Sequence, residues 1–526
     1  MTDKLFINAA VVTVDPEHRV FFPGYVAVSG SRIEAAGPME ELPEELRAAV
    51  DCAADTSVCG ASRGAGAIPA ESDGNTPKLP EIKDCSGKAQ LPGLVDAHGH
   101  SGHATLRYLG ESARNWDFMA AELYCRDTDD FFWYADSAVT AAERLKFGIT
   151  TGVSMLGSLN RPDRPELLSA HFEGSSKTGI REFSGLGFSG NSPKLFRHFE
   201  PDGSFREYRF DRRDTVKNAE RAIRENQGRY PRSFCMVSPS VMGRKAGLSD
   251  AESAAENLAM HRLAEKYGTI VHTHAYAGDV KFMSETTPEV LGPRLSLTHS
   301  TGISAEEIRI IAETGTWVFH GPSTHSIIWT PCPVFDLLRA GANVAIVTDG
   351  AAPDRGYDIW RDMKTFRSIH RISEKDFQLA PPGLILELCT IRPARALGLG
   401  DELGSIEPGK LADLITVDLM QPHFAPLRKD QLVQAIVYAA CGTDVRDVWV
   451  EGEPVMRDRK LLKCSEAQII SDVNESFERM ASRAGEERMK LFMSNDSLYG
   501  LRGSSRIDRA SAFEGLEFEL KQPEDM

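Results

Sequence analysis

A repeated pattern of helix, glycine and strand in the middle of the chain constrains its fold more than any other feature. Three successive stretches each contain an amphipathic helical segment, a glycine, a short apolar strand and then polar residues. Their strands lie in TIVHTHAYAG, TWVFHGPS and ANVAIVTDGAA. A glycine that ends a helix before an apolar strand is typical of parallel β/α units. The pattern predicts an α/β fold, and in a β/α barrel the carboxyl ends of the strands carry the active site.

The two ends of the chain follow a different pattern. Residues 4–36 alternate between apolar and polar positions, and Gly30 with Ser31 predicts a two-residue hairpin turn. Strands of the same style return after the barrel-like region. The simplest interpretation is one β domain assembled from both ends, with the barrel inserted between its halves. The predicted bounds are 1–90 and 403–465 for the β domain, 91–402 for the barrel, about 50–80 for a flexible insertion, and 466–526 for a carboxyl-terminal helix and polar tail.

Composition restricts the class of partner. The chain has 526 residues, of which 41% are hydrophobic, and a formal net charge of -16 with a sequence pI near 5.4. An acidic chain is a poor partner for nucleic acid or an anionic membrane surface. No apolar window approaches the length of a membrane span, no secretion signal is recognisable, and the nine cysteines include no close pair. We therefore expect a cytoplasmic protein that acts on a small molecule.

Imidazole and carboxylate groups follow the ends of four predicted strands. His98 and His100 end LPGLVDAHGH, His274 ends TIVHTHA, His299 ends RLSLTHS and Asp349 ends NVAIVTD. We expect His98 and His100 to project their rings side by side from the first strand, because alternate strand residues share a face. One histidine near a strand is most often structural. Four strands with such groups at the same end predict that the groups converge.

The residue types suit a catalytic metal centre. Zinc or iron takes nitrogen and oxygen ligands from a rigid frame and keeps one position open to water. The metal lowers the pKa of that water from about 15.7 to near 7 and so yields hydroxide at neutral pH. Asp349 is then able to accept the proton of the water, and His299 to hydrogen-bond the water or the substrate.

Five stretches together resemble the amidohydrolase superfamily, within the branch of guanine deaminase and of triazine hydrolases such as atrazine chlorohydrolase. They are PGLVDAHGH, HTHAYA, LTHS, VTDGAA and LGSIEPGKLADLITVD, and the resemblance extends from residue 4 to about 460. It implies a distorted (β/α)8 TIM-type barrel with a small β-sandwich built from both chain ends, and a homodimer. It also implies one metal ion bound by His98, His100, His274 and Asp349, with His299 on the sixth strand.

The resemblance also guides two choices about the metal. In VHTHAYA both His272 and His274 lie on one strand face; the family frame selects His274 and leaves His272 buried behind it. The binuclear branches carry a carboxylated lysine on the fourth strand, which here reads FCMVSPSVMG and has no lysine. One divalent ion is therefore expected, with zinc preferred and iron as the alternative.

One position departs from the family pattern. Ala277 stands where the branch usually has a glutamate that passes a proton to the ring nitrogen of the heterocycle. Asp279, Tyr276 or water around His299 are the candidate replacements. Alternatively, the substrate needs no ring protonation, as in the hydrolysis of a cyclic or linear amide.

Several further residues are candidate substrate contacts. For three of them a structural role is the alternative: helix packing for Trp116, a loop contact for His103 and a solvated charge cluster for Arg355 with Asp354 and Asp358. The predicted set is His103, Trp116, Tyr276, His320, His325, Trp329 and Arg355.

The sequence thus predicts a mononuclear metal-dependent hydrolase that attacks a small nitrogen heterocycle with metal-bound hydroxide and releases ammonia or an amine. Asp349 and His299 are the predicted catalytic residues. One alternative is hydrolysis of an amide C–N bond without ring protonation. The other is a metal-binding scaffold with impaired catalysis, which the missing glutamate motivates.

Overall fold

The structure is a computed structural model, and the parts of the chain that it describes are residues 2–54, 79–110, 116–157, 161–190, 195–200, 202–324, 332–353 and 355–493. Most of the insertion predicted at about 50–80 lies outside these ranges.

The described strands fall into two large sheets and a small hairpin. They are β1 Lys4–Val12, β2 Val20–Ser29, β3 Arg32–Pro38, β4 Glu81–Asp84, β5 Lys88–Pro92, β6 Leu94–Asp96, β7 His100–Ser101, β8 Ile149–Leu156, β9 Arg181–Leu186, β10 Phe196–Phe199, β11 Phe205–Tyr208, β12 Ser233–Val237, β13 Val271–Tyr276, β14 Leu295–Thr301, β15 Trp317–His320, β16 Asn343–Ile346, β17 Leu414–Asp418, β18 Val445–Val450, β19 Glu453–Arg457 and β20 Lys460–Leu461.

The helices lie mostly between the strands of the barrel. They are α1 Glu44–Ala54, α2 Trp116–Arg126, α3 Asp130–Lys146, α4 Glu166–Ser176, α5 Thr215–Asn226, α6 Asp250–Tyr267, α7 Asp279–Thr286, α8 Ala305–Thr314, α9 Val334–Arg339, α10 Ile359–Glu374, α11 Pro382–Glu387, α12 Ile391–Ala396, α13 Leu432–Ala439, α14 Glu466–Ala484 and α15 Glu486–Met493. Of the described helices, not one is long and apolar enough for a bilayer crossing.

One sheet joins the two ends of the chain. Its strands run in the order β20-β19-β18-β17-β5-β1-β2-β3, with β4 paired to β1. Alternate residues of β1 are buried on opposite faces, with Phe6 in one apolar cluster and Leu5 in another, so both faces of the sheet are covered. Ser29 pairs with Arg32 across the predicted two-residue turn. A β domain built from both ends is confirmed, while its predicted boundaries stay a prediction.

The second sheet is the barrel. Its parallel strands follow the order β16-β15-β14-β13-β12-β9-β8-β6, and β7 pairs with β8. Its two ends meet through the segment after α11, where the carbonyl of Cys389 accepts from Val95 N and the carbonyl of Leu388 accepts from Ile346 N. The carboxylate of Asp96 adds two hydrogen bonds from Thr348, at 3.0 Å to its amide and 2.7 Å to its hydroxyl. The predicted α/β barrel is confirmed.

Local sequence signals explain where the barrel helices begin and end. Ser249 and Ser304 form capping boxes at the starts of α6 and α8, and Gly268 and Gly315 end these helices in the left-handed conformation. The glycines of the repeated pattern therefore have the predicted structural role.

The carboxyl-terminal helix predicted after residue 465 is divided into two helices. Gly485, with a φ of 81°, breaks it into α14 and α15. Arg483 and Arg488 then bind the turn before α3, where Arg483 donates to the Asp129 carboxylate at 2.7 Å and Arg488 to Asp127 at 2.7 Å. A positive φ favours glycine because glycine has no Cβ, which explains why the helix breaks at this residue.

Candidate active site

The five predicted residues meet at one end of the barrel. His98 follows β6, His100 begins β7, His274 lies in β13, His299 lies in β14 and Asp349 follows β16. Parallel strands bring these ends to the same edge of the sheet. All five residues are buried, with exposed fractions from 0% to 6%. Possible ligand atoms of His98, His100 and His274 lie within 4.8 Å of one another, as do those of His98, His299 and Asp349.

The two histidines of the first strand meet differently from the prediction. Strand β6 ends at Asp96, before either histidine, and His100 belongs to the separate strand β7. The His98 and His100 rings are therefore edge to face, with centroids 4.8 Å apart and an interplanar angle of 86°. Gly99 lies between them because a Cβ there would collide with the Arg144 guanidinium and lie 3.2 Å from the Asp349 carbonyl oxygen.

Backbone carbonyls fix the protonation of two imidazoles. Nδ1 of His100 lies 2.9 Å from the Gly157 carbonyl oxygen, and Nδ1 of His274 lies 2.7 Å from the Ser240 carbonyl oxygen. A carbonyl only accepts, so both Nδ1 atoms carry the hydrogen and both Nε2 atoms present a lone pair. This is the tautomer that a metal-binding histidine needs.

His98 is held by a longer relay. Its Nδ1 lies 2.7 Å from Nε2 of His272, whose Nδ1 lies 2.8 Å from the Ser296 hydroxyl. The hydroxyl reaches the carbonyl oxygen of Val271 at 3.5 Å. If Nδ1 of His98 donates to His272, every hydrogen in this relay has an acceptor. His98 then also presents the lone pair of Nε2 to the site.

The donor atoms suit a cation. Nε2 of His98 and Nε2 of His100 each lie 3.3 Å from Oδ1 of Asp349. Nε2 of His98 is buried and has no hydrogen-bond partner within the described part of the chain. Lone pairs that face a carboxylate oxygen at this distance repel one another unless a proton or a cation lies between them. The residues therefore fit a divalent metal ion bound by nitrogen and oxygen.

The second oxygen of Asp349 faces another set of groups. Oδ2 accepts a hydrogen bond from the Thr324 hydroxyl at 2.7 Å and lies 3.9 Å from Nε2 of His299. Burial raises the pKa of Asp349, but nearby groups, foremost the guanidinium of Arg355, lower it more, so it lies well below its usual value. Asp349 is therefore ionised, with one oxygen toward the ligand histidines and one toward His299.

The imidazoles around this carboxylate are neutral. Burial lowers the pKa of His274 to about 4 and that of His299 to about 3, because the charged form is poorly solvated there. Neutral imidazoles at pH 7 are able to bind a metal or exchange a proton.

His299 and Asp349 have strained backbones. Their φ angles are 71° and 63°, in the left-handed region that residues with a Cβ rarely adopt. Such strain costs of order 1–3 kcal/mol and concentrates at functional sites. The rest of the barrel holds these two residues in orientations that an unstrained strand end would not give.

A buried ionic network supports the loop that carries His98 and His100. The Arg144 guanidinium is fully buried, contacts Asp96 at 3.1 Å and Glu182 at 3.3 Å, and donates to the Val153 carbonyl oxygen at 2.8 Å. A buried arginine requires such a complete set of partners. Because Asp96 also binds Thr348, the network links the first strand of the barrel to the residue before Asp349.

Comparison with known proteins assigns the chain to a family. The model of the Amidohydrolase family matches residues 90–455. The chain belongs to the amidohydrolase family. This membership confirms the predicted resemblance and makes the protein a metal-dependent hydrolase acting on carbon–nitrogen bonds.

Individual relatives of this amidohydrolase are distant but cover nearly its whole length. The 5-methylthioadenosine/S-adenosylhomocysteine deaminase of Syntrophobacter fumaroxidans is 26% identical over 477 residues, which are 90% of this chain and 97% of the relative. An adenosine deaminase from Xanthomonas campestris with bound zinc superposes with a TM-score of 0.70 at 23% identity, covering 91% of this chain and 98% of its own. Atrazine chlorohydrolase from Arthrobacter aurescens TC1 complexed with zinc gives a TM-score of 0.65 at 19% identity, covering 90% and 99%.

Three predicted substrate contacts of this amidohydrolase lie beside the histidine cluster. The His103 ring stacks on His100 at 4.7 Å, and Trp116 meets His103 edge to face at 4.8 Å. Tyr276 is 38% exposed and its ring lies over His299 at 6.2 Å. All three are therefore in position to line the mouth of the site, and their substrate-binding roles stay predictions.

The other four predicted contacts have different surroundings. His320 is fully buried, with Nε2 3.0 Å from Nε2 of His370 and its ring against Phe366, and both of these contacts lie within the core. Arg355 is inside the site, 3.9 Å from Oδ2 of Asp349, and not in a solvated cluster. His325 and Trp329 lie outside the described residues.

Asp279 was one candidate to replace the glutamate that is absent at position 277, and it has a structural role. Its Oδ2 accepts from the Tyr276 amide at 2.8 Å and its Oδ1 from the Arg244 amide at 3.2 Å. Burial raises its pKa to about 6. Both carboxylate oxygens thus hold the turn after β13 together with the preceding loop.

Sequence reasoning missed three supporting residues: the acceptor role of His272, the hydrogen bond of Thr324 and the ionic network of Arg144. His272 had a visible signal, because it shares a strand face with His274. Thr324 and Arg144 carry no comparable local signal, since each reaches its partner only through the closed barrel.

Proposed function

We propose that this amidohydrolase hydrolyses a carbon–nitrogen bond of a small nitrogen heterocycle and releases ammonia or an amine. One divalent ion, zinc, is held by His98, His100, His274 and Asp349. The observation that carries the proposal is the set of imidazole lone pairs directed at Oδ1 of Asp349, each 3.3 Å away for His98 and His100. A bound divalent ion of this kind supplies a water whose pKa lies near 7.

Other roles in the reaction, proton transfer and substrate binding, are assigned to separate residues. Oδ2 of Asp349 accepts the proton of the attacking water, since Oδ1 is directed at the ligand histidines. His299 is neutral and lies 3.9 Å from the same oxygen, so its Nε2 orients the water or passes the proton to the leaving nitrogen. His103, Trp116 and Tyr276 enclose the substrate ring and exclude water from it.

The relatives support the heterocycle. The Syntrophobacter fumaroxidans protein is named a deaminase of 5-methylthioadenosine and S-adenosylhomocysteine, and the relative from Xanthomonas campestris is an adenosine deaminase with bound zinc. Both names describe hydrolytic loss of an amino group from an aromatic ring. Zinc is proposed for this chain because three nitrogens and one carboxylate oxygen suit it.

A second candidate is the hydrolysis of a cyclic or linear amide. Ala277 has no proton to give, and the Asp279 carboxylate is engaged by two backbone amides. An amide needs a proton only on its leaving nitrogen, which His299 is able to deliver. The expected dimer, the cytoplasmic location and the domain boundaries follow from the resemblance and the sequence pattern and stay predictions.

Metal analysis and an ammonia assay test the proposal. The purified protein, grown with zinc and then with iron, should contain one ion per chain, and His274→Ala should contain less than a tenth of that. The protein should then be incubated with a panel of aminated heterocycles and matched lactams. It should either release ammonia from the heterocycles or open the rings of the lactams. Protein that stays metal-free in metal-replete medium would refute the proposed metal site.

A further inference from the structure

The guanidinium of Arg355 is a buried cation inside the active site. Its side chain is 8% exposed, and Nη2 lies 3.9 Å from Oδ2 of Asp349. Long cationic side chains normally keep their charge in water, so burial next to a metal-binding carboxylate requires an explanation.

Neutral groups hold the arginine in place. Its Nε donates to the carbonyl oxygen of Gly350 at 2.9 Å, and its Nη2 donates to that of Ala352 at 2.7 Å. Within the described residues no acceptor contacts its Nη1. The two carbonyls fix the direction of the guanidinium but are neutral and do not balance its charge.

Within the described part of the chain, the carboxylate nearest this charge is shared with the metal site. Among the described residues, Asp349 is the only carboxylate within 4.0 Å of Arg355, and Oδ1 of the same group faces the ligand histidines. The imidazoles of His274 and His299 carry no negative charge and so do not help to balance it. A divalent ion and a guanidinium would therefore share a single carboxylate. A buried excess of positive charge is costly, and an anionic ligand would offset it.

We propose that the substrate carries a carboxylate beside the scissile carbon–nitrogen bond and that Arg355 binds this carboxylate through Nη1. This inference rests on the proposed function and adds the charge class of the substrate. A planar guanidinium matches the two oxygens of a carboxylate better than an ammonium does. The alternative is that Arg355 only fastens its own loop through the carbonyls of Gly350 and Ala352.

A matched pair of probes tests the preference. Pyridine-3-carboxylate and pyridine-3-carboxamide have nearly the same size and differ in charge. Titration calorimetry on the metal-loaded wild-type protein should give a dissociation constant at least about tenfold lower for the carboxylate, as expected for a charge-assisted hydrogen bond. Equal affinity for the two probes in the wild-type protein would overturn the inference.

Variants separate Arg355 from the metal, because a carboxylate also binds a metal directly. In Arg355→Gln the carboxylate-to-carboxamide preference should fall about tenfold, while Arg355→Lys should keep part of it. The control Arg361→Gln changes an exposed arginine on the following helix and should keep the full preference. An unchanged preference in a folded, metal-loaded Arg355→Gln would identify a loop-fastening arginine and refute the inference.

A structure of the wild-type protein gives a test that needs no variant. Metal-loaded crystals with pyridine-3-carboxylate should have guanidinium nitrogens of Arg355 within hydrogen-bond distance of the carboxylate. A carboxylate bound out of reach of Arg355 would overturn the inference even if both variants fail to fold. Failure here leaves metal content and ammonia release intact, whereas failure of the proposed function removes one or both of them.

Discussion

The active site has two sides, here called walls, that differ in charge and in backbone conformation. The imidazole wall, His98, His100 and His274, contains no carboxylate, and each remote ring nitrogen is tied to a carbonyl or to His272 in the barrel core. The carboxylate wall, His299, Thr324, Asp349 and Arg355, holds the charges and has left-handed φ angles at His299 and Asp349. The difference teaches that the nitrogen donors of the first wall are held by rigid support alone, whereas the second wall concentrates charge and backbone strain, which are typical of functional sites.

The largest expected effect comes from breaking the carboxylate wall at its centre. Asp349→Asn keeps the shape but removes the negative charge and the proton acceptor, so turnover should fall by roughly 10³-fold or more. The measurement is the kcat for ammonia release, with circular dichroism as a check on folding. The control is Asp376→Asn at an exposed position. Full activity in Asp349→Asn would exclude the mechanism.

A smaller effect is expected from loosening the imidazole wall. His272→Phe removes the acceptor 2.7 Å from Nδ1 of His98, so metal affinity should fall about 10–100-fold. His272→Gln retains an acceptor and should therefore bind zinc more tightly than His272→Phe. If His272 acted only through packing, the two variants would not differ in this direction. The measurement is the zinc dissociation constant by competition with a chelator, with His261→Gln on a surface helix as the control. Equal zinc affinity in His272→Phe and wild type would mean that the relay does not position His98.

Asp362, which binds the residue before Thr324 of the carboxylate wall, should make the free energy of unfolding depend on pH. Asp362 is fully buried, accepts hydrogen bonds from the Ser323 amide and hydroxyl, and burial raises its pKa to about 7. The folded carboxyl keeps a proton that the unfolded one, with a pKa near 3.8, releases. Stability from this group is therefore complete below about pH 4 and is lost as the pH rises toward 7.

Asp362→Asn removes this titration. The difference in unfolding free energy between variant and wild type should grow in favour of the variant by about 1.4 kcal/mol per pH unit at most between pH 4 and 7. Denaturant unfolding of the metal-free proteins at several pH values measures it. A constant difference over this range would show that Asp362 does not titrate there.

The smallest expected effect lies at the mouth, where the two walls meet. Trp116→Ala removes the ring that meets His103 edge to face, so KM should rise a few-fold with little change in kcat. Steady-state kinetics on the best heterocycle of the panel provide the measurement. A large fall in kcat with constant KM would instead place Trp116 in the support of His103.

The barrel and the convergence of its histidines with Asp349 were predictable because their signals are local. A helix that ends at a glycine before an apolar strand is readable from neighbouring residues, and Gly268 and Gly315 behave as predicted. Parallel strands then bring their carboxyl ends together, so His274, His299 and Asp349 had to converge. The predicted side-by-side arrangement of His98 and His100 was wrong. Strand β6 ends at Asp96, whose carboxylate binds Thr348.

The sequence by itself determined which groups the active site contains and at which strand ends they lie, since residue type and periodicity are properties of short stretches. Only the tertiary structure decided their electrostatic state. His272 becomes the partner of His98 across 174 positions, and Arg355 turns from an exposed charge into a buried one. Asp279 is engaged in the turn after β13. Burial and hydrogen-bond partners depend on distant segments packed around each group, and no local pattern encodes them.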